Sequence, residues 1–131
     1  MVRNQNSPQL HTLYTDAFHQ HWQLPLFTDY SGATLTFGET AVRIQSLKKM
    51  MLNAGVAPGD KVAIYARNST NWAISFFSVM ALGGVIVPVL PDFAPDNVMN
   101  ILKHSESKML FAEPGLLSKL DNSVEEELEL I

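Results

Sequence analysis

The run from Leu52 to Pro88, LNAGVAPGDKVAIYARNSTNWAISFFSVMALGGVIVP, constrains this chain more than any other part of it. It reads in order as a helix end, a tight turn, a buried strand, a capped helix, a double-glycine stop and a second buried strand. Gly55 stops the first helix, with Pro58 close behind. Pro58-Gly59-Asp60 is turn chemistry, because proline presets φ and glycine tolerates a positive one. Val62-Ala63-Ile64-Tyr65 is short and almost wholly apolar, the mark of a strand covered on both faces. Asn68 or Ser69 can cap the helix expected over Thr70 to Leu82, which is apolar nearly all round and must be covered on more than one side. Gly83-Gly84 ends that helix, and β-branched Val85-Ile86-Val87 open a strand expected to reach Leu90. Together these make one βαβ passage of a parallel sheet.

The flanks extend the pattern. Pro8 to about Trp22 reads as a helix with Leu10, Leu13, Tyr14, Ala17 and Phe18 on one side. A hairpin is expected next, with Leu26 to Tyr30, a Ser31-Gly32 turn and Thr34 to Thr36. Thr36 and Glu39 have the spacing of a capping box, and the helix after them puts Ala41, Ile44, Leu47 and Met51 on one face. Pro95 and Asp96 open a further helix through Val98, Ile101 and Leu102. Lys108 to Ala112 reads as a strand and Pro114 to Leu120 as a short helix. The fold class is therefore α/β: a three-layer, mainly parallel sheet with helices on both faces, preceded by an N-terminal helix and a β-hairpin. We expect one subdomain over residues 1–131: helix and hairpin start at about 8–33, βα repeats at about 34–120 and an acidic tail at 121–131. The closing SVEEELELI is either a solvated, frayed helix or a cut inside a longer protein.

Composition removes several function classes. With 131 residues, 47% of them apolar and 17% charged, the chain suits one globular domain. A net charge of −4 leaves no basic footprint, so nucleic acid is not expected as a partner. The absence of cysteine excludes disulfides, thiolate nucleophiles and thiolate metal sites. No signal peptide is legible at the N-terminus. A transmembrane reading of Trp72 to Leu90 is rejected, since Gly83-Gly84 breaks the helix after roughly three turns and a span needs about 20 residues. We expect a cytoplasmic location, either free or peripheral to the inner membrane surface.

Several segments in order resemble the opening of the AMP-forming adenylating enzymes, the superfamily of acyl-CoA synthetases, luciferases and peptide-synthetase adenylation domains. They are Leu35-Thr36-Phe37-Gly38-Glu39, Ala54-Gly55-Val56, Pro58 to Ala63, Asn68-Ser69 with Trp72, and Gly83 to Pro88. Pro88 to Asn97 and Lys103 to Lys108 are most similar to bacterial long-chain fatty-acid-CoA ligases. The resemblance implies a parent enzyme that activates a fatty acid with ATP and Mg²⁺ to an acyl-adenylate and passes the acyl group to coenzyme A. It also implies that the loop after the Gly-Gly strand, Pro91-Asp92-Phe93, approaches the nucleotide end of coenzyme A, with Phe93 as a stacking face. A proline-stiffened connector is the plain reading of the same residues.

The resemblance has gaps. The family's Ser/Thr/Gly-rich phosphate loop ending in lysine is not in the sequence, nor are its later hinge and catalytic-lysine segments. Tyr30 to Thr34 imitates that loop superficially but has strand residues on both sides and reads as a hairpin turn. We thus expect an N-terminal fragment, itself inactive and binding no cofactor, with no catalytic residue and no metal site. His11, His19, His21 and His104 give no HxxxH pair, and His104 reads as a helix C-terminal cap. Asp60 reads as a turn residue, and Arg67-Asn68-Ser69 as a polar loop with an N-cap rather than an anion site. Self-association is expected through surface that the rest of the enzyme would cover, including Trp72, Phe76, Phe77 and the outer strand edges. Two alternatives stand beside this reading. One is an independent flavodoxin-like or receiver-like binding module; the other is the N-terminal part of an amino-acid or aryl-acid adenylating enzyme.

Overall fold

The computed structural model describes residues 9–128 of the chain. Pro8, where the first helix was expected to begin, and the last residues of the acidic run lie outside them. The chain divides into two compact units, residues 1–42 and 43–131, and each is taken on its own.

In the first unit, α1 (Leu10–Gln20) is followed by an antiparallel pair, β1 (Pro25–Thr28) and β2 (Thr34–Thr36), and by the start of α2 (Phe37–Asn53). The first strand begins and ends earlier than its sequence suggests. Tyr30 belongs to the connecting loop and is wholly exposed, while Ser31 takes a left-handed φ of 56°. Phe18 of α1 packs edge-on against Phe37, their centroids 5.3 Å apart. Leu10 and Leu13, placed by the sequence on the same side as Phe18, are exposed. The capping box forms at the start of α2: Glu39 N–H donates to Thr36 Oγ1 at 3.1 Å, and Thr36 N–H donates to the Glu39 carboxylate at 2.8 Å.

The second unit holds the parallel sheet, in the order β4-β3-β5, with β3 (Lys61–Tyr65) flanked by β4 (Val85–Val89) and β5 (Met109–Ala112). Side chains alternate across it. Val62 and Met109 face one layer, packing with Met51 of α2 and with Val79 and Leu82 of α3 (Thr70–Leu82). Ala63, Tyr65, Val89 and Leu110 face the other, against Val98 and Leu102 of α4 (Pro95–Ser105), Leu116 of α5 (Pro114–Leu117) and Val124 of α6 (Val124–Glu127). Helices thus cover both faces, and the three-layer α/β architecture is as the sequence implies. Met50 is exposed while its neighbour Met51 is fully buried, so only one of the two reaches the core.

Two further expectations need correcting. The helix after β5 is shorter than Pro114 to Leu120, ending at Leu117. The acidic tail is not simply solvated: Val124 and Leu128 are both buried in the α4 layer. Their spacing of four places both apolar side chains on one side, leaving Glu125 and Glu126 exposed.

The stop between α3 and β4 uses its two glycines differently. Gly83 takes φ +86°, and its N–H caps Met80 O. Gly84 is needed for closeness: a Cβ there would lie 3.0 Å from Val79 Cγ1 and 3.2 Å from Asp60 O. Further along β4, Val85 N–H donates inward to Asp60 O at 2.8 Å. Strand alternation then turns the nitrogen of Pro88, which carries no hydrogen, to the outer edge, where no ladder bond is lost. Ser78, fully buried in α3, donates to Ile74 O at 2.6 Å. Among the described residues, no buried side-chain nitrogen or oxygen lacks a partner.

Candidate functional site

The strand order decides where to look. The chain moves from β3 to β4 on one side, then crosses back to place β5 on the other. Connections therefore diverge between β3 and β5, and at such a switch point the carboxyl ends of the strands leave a crevice. A groove of about 520 Å³ lies there. Its walls include Ile64, Trp72, Phe111 and Pro114, and its polar rim includes Arg67 and Glu113.

Arg67 follows β3 and Glu113 follows β5. Their side chains meet, Arg67 Nη1 to Glu113 Oε1, at 2.6 Å. The main-chain N–H of Arg67 adds a second contact, donating to Glu113 Oε2 at 3.3 Å. Glu113 N–H in turn donates to Tyr65 O at 3.0 Å, continuing the sheet past its last paired residue. On the α3 side, Ser69 caps the helix by accepting from Trp72 N–H at 3.1 Å, so of the two candidate caps Ser69 is the one used. The indole of Trp72 stacks on Phe76 at 5.6 Å between centroids, with 17° between planes. Trp72, Phe76 and Phe77 are half-buried rather than open.

The Arg67-Asn68-Ser69 loop is thus both a capped polar loop, as its sequence suggests, and one wall of a groove. The pairing with Glu113 was not foreseen. One signal was available: a charged residue stands within two positions of the end of each of two neighbouring apolar strands, and the charges are opposite.

The loop after β4 lies at the same end of the sheet. Phe93 N–H donates to Leu90 O at 3.2 Å, closing a turn around Pro91 and Asp92. Pro91 is half-buried, whereas Asp92 and Phe93 are exposed.

Asp60 sits at the opposite, amino ends of the strands. Its Oδ2 accepts from Ala57 N–H at 2.7 Å and lies 3.5 Å from Lys108 Nζ. The Ala57 bond, and secondarily the lysine, hold its carboxyl below the usual carboxylate range. It is a turn residue. The Tyr30 to Thr34 imitation of a phosphate loop is the connection between β1 and β2. His104 lies in the last turn of α4, a helix closed by Glu106 at φ 56°. Among the described residues, no three histidine or carboxylate side chains cluster in a way that could hold a metal ion. No helix there is long and apolar enough to cross a membrane.

Residues 14–130 match the family described as "AMP-binding enzyme". Surfactin synthase subunit 2 of Bacillus subtilis is 26% identical over 107 residues, 82% of this chain and 3% of that protein. Long-chain-fatty-acid–CoA ligase FadD15 of Mycobacterium tuberculosis is 32% identical over 94 residues, 69% of this chain and 16% of that protein. The chain therefore spans only a small part of the length of these curated relatives. Among solved structures, the N-terminal domain of FACL13 from Mycobacterium tuberculosis superposes with a TM-score of 0.80 at 19% identity, covering 91% of this chain and 31% of that one.

Proposed function

The chain belongs to the AMP-binding enzyme family, and on that premise we propose that it forms the N-terminal part of an acid-activating ligase specific for long-chain fatty acids. In the reaction of such a ligase, a carboxylate oxygen attacks the α-phosphorus of ATP and releases pyrophosphate. The thiol of coenzyme A then attacks the acyl carbon and AMP departs. The observation that carries the fatty-acid reading is the 32% identity with FadD15 over 94 residues, together with the ligase-like run Pro88 to Asn97.

Within this reading the chain supplies structure and one contact surface. The β4-β3-β5 sheet forms part of the wall of the large domain. Pro91 stiffens the turn after β4, Asp92 lies exposed at its tip, and Phe93 offers a face to the nucleotide end of coenzyme A. ATP and Mg²⁺ are assigned to other parts of the enzyme, so the 131 residues alone are inactive. Location in the cytoplasm, free or at the inner membrane surface, and self-association of the isolated chain through its outer strand edges are part of the same proposal.

A second reading has its own support. The surfactin synthase match spans 82% of this chain, more than the FadD15 match does. Under it, the acid activated would be an amino acid. The independent flavodoxin-like or receiver-like module is set aside on the family match. Strand order does not decide that point, because a central first strand is common to those folds as well.

Acid-dependent exchange of pyrophosphate into ATP, measured on the whole protein, separates the two. Exchange with palmitate, followed by palmitoyl-CoA formation, is the expected result. Exchange supported only by amino acids would replace the first reading with the second.

A further inference from the structure

The contact between Arg67 and Glu113 has the geometry of a small-molecule site already holding a carboxylate. Both oxygens of Glu113 are used, one by the guanidinium at 2.6 Å and the other by a main-chain N–H at 3.3 Å. Both donors belong to Arg67, two residues beyond the end of β3. A charged, planar donor beside an N–H favours a carboxylate over a neutral oxygen.

Vacating the seat costs little. The Arg67 side chain is 60% exposed and that of Glu113 35%, so Glu113 can swing into water. Exposed pairs of this kind contribute little to stability. Next to the seat are the walls formed by Ile64, Trp72, Phe111 and Pro114, two of them aromatic. The volume of about 520 Å³ lies within the range of small-ligand sites. A charged anchor at one end and flat apolar walls beyond it define a ligand.

We propose that this groove binds a small carboxylate with a flat apolar body, and that Glu113 occupies the place of its carboxylate. The entering carboxylate takes the guanidinium and the Arg67 N–H, its ring lies against Trp72 and Phe111, and Glu113 turns outward. No covalent step is involved. The site does not rest on the acid-activating reading, since a chain that activates nothing would still carry the seat and its walls.

The probe is 1-naphthoate, with 1-naphthalenemethanol as its neutral counterpart, added to the full ¹⁵N-labelled chain. Two indole N–H signals are present, from Trp22 and Trp72, and Trp22→Phe assigns them. Naphthoate is expected to move the Trp72 signal and leave that of Trp22 in place, binding at least about tenfold more tightly than the alcohol. Arg67→Gln is expected to weaken naphthoate by about tenfold or more. Glu113→Ala is expected to tighten it about two- to fivefold, because the resident carboxylate no longer competes. That gain is a result misfolding cannot imitate. An unmoved Trp72 signal at millimolar naphthoate, equal binding of the alcohol, or no tightening in Glu113→Ala would each overturn the proposal.

Discussion

Asp60 holds Ala57 across the turn that launches β3: the carboxylate accepts the Ala57 N–H at 2.7 Å, and Lys108 Nζ stands 3.5 Å away. Because these contacts favour the ionised form, the carboxyl titrates lower in the folded chain than in the unfolded one. Its stabilising effect is therefore complete above the unfolded value near 4 and fades as pH drops through the folded value. Asp60→Asn should be less stable than the parent at pH 7, with the gap narrowing below about pH 4. Urea unfolding at pH 7 and pH 3 checks the sign; a constant gap would contradict it.

The two glycines ahead of β4 should respond differently to the same substitution. Gly83→Ala forces φ +86° on an alanine and should cost about 1 kcal/mol. At Gly84 the obstruction is packed atoms, Val79 Cγ1 and the main-chain oxygen of Asp60. There, larger side chains should be progressively worse, with Gly84→Val costing about 1–3 kcal/mol. Gly83→Asn should recover part of the Gly83→Ala loss, since asparagine tolerates the left-handed region, whereas Gly84→Asn should recover none. Thermal unfolding of the set distinguishes the two causes.

Truncating Val124 tests whether the tail contributes to the core. The side chain is buried beside Leu102 and Leu116, so Val124→Ala should cost about 2 kcal/mol. Glu125→Ala, on an exposed neighbour, should stay within about 0.5 kcal/mol of the parent. Equal effects would show the tail to be loosely attached.

In the whole enzyme, Phe93→Ala should raise the KM for coenzyme A about fivefold, the loss of one stacking contact. Acid-dependent pyrophosphate exchange, which precedes thiol attack, should be unchanged. A parallel loss in both assays would make Phe93 a folding residue instead of a coenzyme contact.

What could be read from residues alone was local. The Thr36–Glu39 box, the Ser69 cap, the Gly83 stop and Pro95 at the head of α4 each depend on atoms within four residues of one another. The Arg67–Glu113 contact spans 46 residues and exists only because β5 pairs beside β3, with Tyr65 opposite Ala112. No pattern along the chain states which of β4 and β5 lies on which side. The tail's burial rests on Val124 and Leu128, two apolar residues spaced by four within a run of glutamates, a weak pattern in so short a segment. Phe93 lies in a turn after β4, between Pro91 and Pro95, whose fixed φ stiffens the chain on either side.

The central position of β3 also sets an order of events during synthesis. Its pairing with β4 closes Lys61 onto Val85, whereas pairing with β5 closes Val62 onto Met109, about twice the distance along the chain. Doubling a loop adds only about 0.6 kcal/mol of closure entropy. On the ribosome, however, the first partner emerges while the second is still inside the exit tunnel. The nascent chain can therefore assemble β3, α3 and β4 into a two-stranded intermediate whose Ala63 and Tyr65 wait uncovered for α4. A pause in translation after β4 has left the exit tunnel and before β5 has would lengthen the life of that half-built sheet.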